Sequence, residues 1–209
     1  MGYTTVPMGT GTFLISIPFE SLDETEAVFP IQSITGTLNS GSISGDKLLV
    51  WDNDNNRFET YRWTGSDDRG WVNVKETSAT TDVIRPNQSV FFSSMKGGAE
   101  MTVAGKISTE VSQTVDLPQG MTFLANPYPC DLPIATLQGS FNAGSISGDK
   151  ILRWDPATKT YITYIYTASG WRKTTESTTT TDSIASGEGF VFSRMKAGTS
   201  SITFISPIK

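Results

Sequence analysis

Histidine is absent from all 209 residues. That excludes Ser-His-Asp and Cys-His nucleophilic catalysis, His-assisted acid–base chemistry and nearly every catalytic zinc site. Carboxylate-only chemistry and Ser-Lys dyads survive the filter. A single cysteine, Cys130, rules out an intrachain disulfide and reads as a small buried side chain. Charge is scarce too. Asp, Glu, Lys and Arg make up 18% of the chain, the net charge is −5, and no basic run exists. Nucleic-acid binding needs clustered Lys and Arg to displace counterions, so it is excluded as a function class. No apolar stretch approaches the roughly 20 residues that span a bilayer. No secretory signal segment is visible, which leaves the compartment open.

What is present is enough to bury a core: 37% hydrophobic and 11% aromatic residues. The chain also repeats itself. Gly-Ser-Ile-Ser-Gly-Asp-Lys occurs at 41–47 and again at 144–150. Leu49, Trp51, Asp52, Thr60, Tyr61 and Thr64 recur as Leu152, Trp154, Asp155, Thr163, Tyr164 and Thr167. Trp71, Asp82, Phe92, Met95 and Lys96 recur as Trp171, Asp182, Phe192, Met195 and Lys196. We therefore read two tandem copies, 1–107 and 108–209, each of ordinary domain size.

Within each copy the local signals are β. Lys159–Tyr166 is rich in β-branched and aromatic residues, and similar runs lie at Lys47–Asp52, Arg57–Trp63, Trp71–Lys75 and Ser89–Ser94. Their spacing predicts an all-β fold of two β-sandwich or barrel-like domains. Short helical segments are expected at Ser21–Phe29, which opens with a capping-box pattern, and at Asp131–Leu137. Val50 becomes Arg153, so that strand face is predicted to be wet. Leu49 and Trp51 persist as Leu152 and Trp154, so the opposite face is predicted to be core. The pairs Tyr61–Trp63 and Tyr164–Tyr166 fit either half of the core or an exposed aromatic strip.

Several chemistries can be weighed. Ser44-Gly45-Asp46-Lys47 spells S-x-x-K, but the internal glycine and following β run point to a turn entering a strand. Asp52-Asn53-Asp54-Asn55 resembles the start of a calcium loop, with Asp52 and Asp54 as ligands, although the Gly and Glu that an EF-hand requires are missing. A hairpin turn explains the same residues. A glycosidase needs paired carboxylates, whose proximity sequence spacing does not reveal.

Phe123-Leu124-Ala125-Asn126-Pro127-Tyr128-Pro129, Trp154-Asp155-Pro156 and Gly187-Glu188-Gly189-Phe190-Val191-Phe192 form a recognisable pattern in the second copy. It resembles the "L-x-N-P-Y-P … W-D-P … G-x-G-F-x-V" repeat of secreted and cell-surface proteins of Gram-negative bacteria. The first copy is a degenerate version, with Asn87-Gln88-Ser89 in place of the glycine pair. The resemblance implies an exported β-sandwich module. It implies no defined activity and no catalytic residues.

The leading expectation is a non-enzymatic extracellular or cell-surface structural protein that assembles with itself. Its terminal segments, carrying Tyr3, Val6, Ile202 and Phe204, are the expected assembly strands. The alternative is a module binding surface polysaccharide through Trp63, Trp71, Tyr166 and Trp171. Trp71 and Trp171 each follow a glycine at a loop end, which favours exposure. A carboxylate-based glycosidase is the third reading. No cofactor is expected beyond the calcium candidate.

Overall fold

The computed structural model describes residues 2–22, 28–52, 55, 57–65, 67–85, 87–198 and 200–207. It is all-β, built from antiparallel sheets that do not close into a barrel. The first copy contributes β1 (Gly2–Met8), β2 (Gly11–Ile15), β3 (Phe29–Pro30), β4 (Thr35–Thr37), β5 (Lys47–Asp52), β6 (Arg57–Trp63), β7 (Trp71–Asn73), β8 (Val83–Ile84), β9 (Val90–Ser94) and β10 (Ala99–Gly105). The second contributes β11 (Ser112–Asp116), β12 (Gly120–Ala125), β13 (Leu132–Pro133), β14 (Gln138–Gly139), β15 (Lys150–Asp155), β16 (Thr160–Thr167), β17 (Gly170–Lys173), β18 (Ser183–Ile184), β19 (Gly189–Arg194) and β20 (Ser201–Ile205).

The two copies share one topology. A five-stranded sheet ordered β2-β9-β5-β6-β7 faces a three-stranded sheet β1-β10-β4, and β3 pairs with β8. The second copy repeats this as β12-β19-β15-β16-β17, β11-β20-β14 and β13-β18. Side chains from both sheets meet in one core per copy. Leu48, Trp71 and Phe92 pack with Met101 and Val103 in the first, and Ile151, Trp171 and Phe192 with Ile202 and Phe204 in the second. This is the sandwich principle of two inner faces interdigitating.

Among the described residues there is no α-helix, only 3-10 turns at Ile31–Ser33 and Ile134–Thr136. The expected Asp131–Leu137 helix is thus a short strand followed by one tight turn. Of the Ser21–Phe29 segment, residues 23–27 lie outside the described set, and Phe29 begins β3.

The predicted face assignment is reversed. Leu48, Val50, Tyr61 and Trp63 are buried in the sandwich, whereas Leu49, Trp51, Leu152 and Trp154 lie half-buried on the outer face of the five-stranded sheets. Arg153 occupies the Val50 position at the margin of the core. Its guanidinium bonds Glu188 through Nε at 2.8 Å and Nη2 at 3.0 Å, and donates to the Tyr164 hydroxyl at 3.1 Å. A valine-to-arginine exchange therefore marks a core edge that has found a carboxylate, not a wet face.

The outer apolar face exists because the copies pack against each other through it. Phe123 of the second copy sits among Trp51, Phe58 and Phe91 of the first, with centroids 5.3–5.8 Å away. Reciprocally, Trp154 Nε1 of the second copy donates to Thr12 O of the first at 2.6 Å. Bridges Ile15–Glu188 and Gln88–Leu124 join the sheets, and Ala125 N donates to Asn87 O at 2.8 Å. Equivalent residues thus appear on both sides of the contact, the signature of an approximate two-fold relation. At its centre Ser89 faces Gly189, the corresponding position of the other copy. A Cβ on Gly189 would lie 2.4 Å from Ser89 Cβ. Only one of the two positions can carry a side chain, so Ser89 in the first copy requires glycine at 189 in the second.

Candidate functional site

Of the four aromatic residues expected to bind a ligand, the three tryptophans are buried and Tyr166 is only partly exposed. Trp71 is 0% exposed, Trp171 2% and Trp63 7%, and Tyr166 is half-buried. Trp63 and Trp71 pack edge to face at 5.4 Å, while Tyr166, Trp171 and Phe141 form a mutual cluster with centroids 5.1 Å apart. The correction has a local cause. Gly70 adopts φ +65 to close its turn, which delivers Trp71 into β7 with its ring inward. Trp71 Nε1 then donates to Ile34 O at 2.9 Å, and its backbone N–H to Gln32 Oε1 at 3.2 Å. The tyrosine question is settled for the core as well. Tyr61 is buried with its hydroxyl on Asp82 at 2.8 Å, and Tyr164 is buried with its hydroxyl on Asp182 at 2.5 Å. Burial, reinforced by the Asp182 bond, pushes the Tyr164 phenol up to about 12.

The expected assembly strands divide. Tyr3 is 77% exposed on β1, which pairs with β10 on one side and is the outer strand of its sheet, whereas Val6 packs partly onto the first core. Ile202 and Phe204 are fully buried in β20, which is the central strand between β11 and β14. The C-terminal segment is therefore consumed within its own copy and cannot add to a neighbour's sheet. The strand equivalent to β1 is instead β11, and these two open edges, seven and five residues long, are the longest in the three-stranded sheets. Pro7 removes one backbone donor from β1, a common way to blunt an edge.

One concave surface stands out. A groove of about 600 Å³ lies at the edge of the first copy's core, beside Val50 and Tyr61, and is lined by Trp51, Arg57, Glu59, Lys75, Asp82 and Arg85 among others. Glu59 holds it together, bonded to Arg57 Nε at 2.8 Å and Lys75 Nζ at 2.6 Å. The Lys75 ammonium keeps Glu59 below the usual carboxylate range against the cost of its partial burial. Such a carboxylate is suited to orienting a polar ligand and unsuited to acting as a general acid. The copies diverge here: Val50, Arg57, Glu59, Lys75 and Arg85 stand where the second copy has Arg153, Thr160, Ile162, Thr175 and Ala185.

No protein-family model, curated protein or solved structure matches the chain. Roles for the residues of the L-x-N-P-Y-P pattern come from the structure itself. Asn126 is fully buried, its amide nitrogen donating to the carbonyls of Cys130, Ile184 and Ala185 while its oxygen receives Tyr128 N–H. Trp154 and Gly189 belong to the contact between copies.

The remaining candidates are turn chemistry. Asp52 accepts from Asn55 N at 3.3 Å and Asn55 Nδ2 at 2.6 Å, closing the β5–β6 hairpin, while its proposed calcium partner Asp54 lies outside the described residues. Among the described residues no group of three or more Cys, Asp or Glu could hold a metal ion. The shared heptapeptide is a closed loop. Asp46 and Asp149 are fully buried and accept the backbone N–H of Asn39 and Asn142 at 2.7 and 2.8 Å. The groove escaped the sequence reading, although the divergence between copies marked it.

Proposed function

We propose that this chain is a non-enzymatic, exported structural protein of a bacterial surface whose copies associate with one another. The observation that carries the reading is the two-fold relation between the sequence copies. It presents each exposed contact feature twice, and a molecule with two equivalent contacts forms an open array where one contact would stop at a dimer. The open edges β1 and β11 are one such pair. Low charge, a Ser- and Thr-rich surface and the resemblance to exported repeats support the location outside the cell. Electron microscopy and sedimentation over rising concentration test it. Filaments, layers or a steadily rising average mass are expected, and uniform monomers at every concentration would end the proposal.

A second reading rests on the groove. An oligosaccharide, uncharged but dense in hydroxyls, suits a polar trough whose charges around Glu59 already pair with one another. Retarded migration in gels containing neutral β-glucan or mannan, lost in Lys75→Ala, is the expected result. Unretarded wild-type protein across such a panel removes this reading.

A further inference from the structure

Tyr61, Glu76 and Asp82 of the first copy correspond to Tyr164, Glu176 and Asp182 of the second. In the second copy these groups hold two cations. Arg153 Nη1 donates to the Tyr164 hydroxyl at 3.1 Å, and that hydroxyl donates to Asp182 Oδ2 at 2.5 Å. Lys173 Nζ lies 3.0 Å from Asp182 Oδ2 and 3.2 Å from Glu176 Oε1. The Tyr164 hydroxyl and the Lys173 ammonium keep the Asp182 carboxyl below the usual carboxylate range, against the cost of its partial burial.

The first copy keeps the acceptors and lacks both cations. Asn73 lies opposite Tyr61 as Lys173 lies opposite Tyr164, and Val50 stands in the register place of Arg153. Tyr61 and Thr80 both donate to Asp82 Oδ2, at 2.8 and 2.9 Å, and among the described residues no donor reaches Oδ1. No described cation pairs with Asp82 or Glu76 either. Both carboxylates are exposed, and with Val50, Tyr61 and Asn73 they line the groove. The other cations of the groove do not take their place. Arg57 and Lys75 are held by Glu59, and Arg85 forms no ion pair with a described residue.

We propose that this end of the groove binds a small organic cation bearing N–H donors, an alkylammonium or alkylguanidinium, where the second copy places its own arginine and lysine. The second copy distinguishes such a site from a merely solvated acidic surface, because there the same tyrosine, aspartate and glutamate ligate those two groups. Hydrogen bonds between a cationic N–H and a carboxylate are of the strong kind. Val50 and Val83 offer an apolar wall to the carbon chain of the ligand. Agmatine, with a guanidinium at one end of a short chain and an ammonium at the other, presents both groups in one molecule. Binding of this kind requires neither self-association nor a sugar.

Titration of the whole isotope-labelled protein with agmatine, followed by NMR at fixed ionic strength, tests it. Saturable shifts confined to the first copy and centred on Tyr61, Asn73 and Asp82 are expected, with a dissociation constant on the order of 1 mM or below. Asp82→Asn keeps the shape of the side chain and should weaken binding roughly tenfold or more. Val50→Arg/Asn73→Lys/Gln88→Glu gives the first copy the second copy's cations, together with the carboxylate that holds Arg153. With folding checked by its melting temperature, that variant should lose binding altogether. Tetramethylammonium, a cation without N–H donors, should not bind. Absence of saturable shifts, shifts equal in both copies, or Asp82→Asn binding as tightly as wild type would each overturn the site. Tetramethylammonium binding as well as agmatine overturns it too, since counterion attraction would then suffice.

Discussion

Replacing Gly189 by alanine tests the contact between the copies at its tightest point. The added methyl would sit 2.4 Å from Ser89 Cβ, 2.9 Å from Ile15 O and 3.1 Å from Leu14 Cγ. Ordinary carbon contacts begin near 3.4 Å or beyond, and Ser89 is only 1% exposed, so it has little room to withdraw. Overpacking of this kind costs about 1–3 kcal/mol. For a chain of this size each kcal/mol lowers Tm by roughly 2–4 °C. The expected loss is therefore about 2–12 °C by calorimetry, with no change in secondary structure. Adding Ser89→Gly removes the nearest obstacle and leaves Ile15 O, so more than half of the loss should return. The two substitutions should couple by about 1 kcal/mol or more in a double-mutant cycle. Gly189→Ala at wild-type Tm, or a double variant whose effects simply add, would refute the facing of Ser89 and Gly189.

Other outcomes follow from the second copy's charges and the buried aromatics. Arg153→Val alone leaves the Glu188 carboxylate with only the Ala185 N–H as donor and the Tyr164 hydroxyl with none, and should cost about 1–3 kcal/mol; adding Glu188→Gln, the first copy's residue, should restore most of it in denaturant melts. The raised Tyr164 phenol makes stability complete below pH 10 and lost as pH climbs from 10 toward about 12, because the unfolded chain ionises first. Tyr164→Phe should flatten that part of the Tm–pH curve, and an unchanged curve would remove the assignment. Trp171→Ala should destabilise by about 3–5 kcal/mol, whereas an exposed ligand-binding tryptophan would tolerate the change.

The strands were legible because their alternation and turn residues act locally. β5 and β6 coincide with the runs Lys47–Asp52 and Arg57–Trp63 read from sequence. The phase of β5 was not legible. Leu49 and Trp51 looked like core because apolar residues on an intermolecular-type surface carry the same pattern as those inside a sandwich. Tandem copies that pack on each other leave both faces of one sheet apolar, and a single strand then has no wet side to identify. Trp71 misled for a related reason: a glycine before a tryptophan sets the turn but not the direction of the ring, which depends on Gln32 and Ile34 far away in sequence. The groove was hidden because Glu59, Lys75 and Arg85 come from separate elements and only the fold brings them together.

Only Lys106 to Val111 separates β10 from β11, and this short tether has an evolutionary consequence. Two free subunits must meet at a concentration set by the cell, and identical subunits must place the same residue at both sides of their axis. Tethered halves see each other at an effective concentration of order millimolar whatever the dilution. Fusion thus frees the axis from symmetry: serine can fill the space opposite glycine, a combination no homodimer could encode. Once the halves differ at one position they can differ at others, so a charged trough can arise on one half while the other keeps threonine, isoleucine and alanine at the same places.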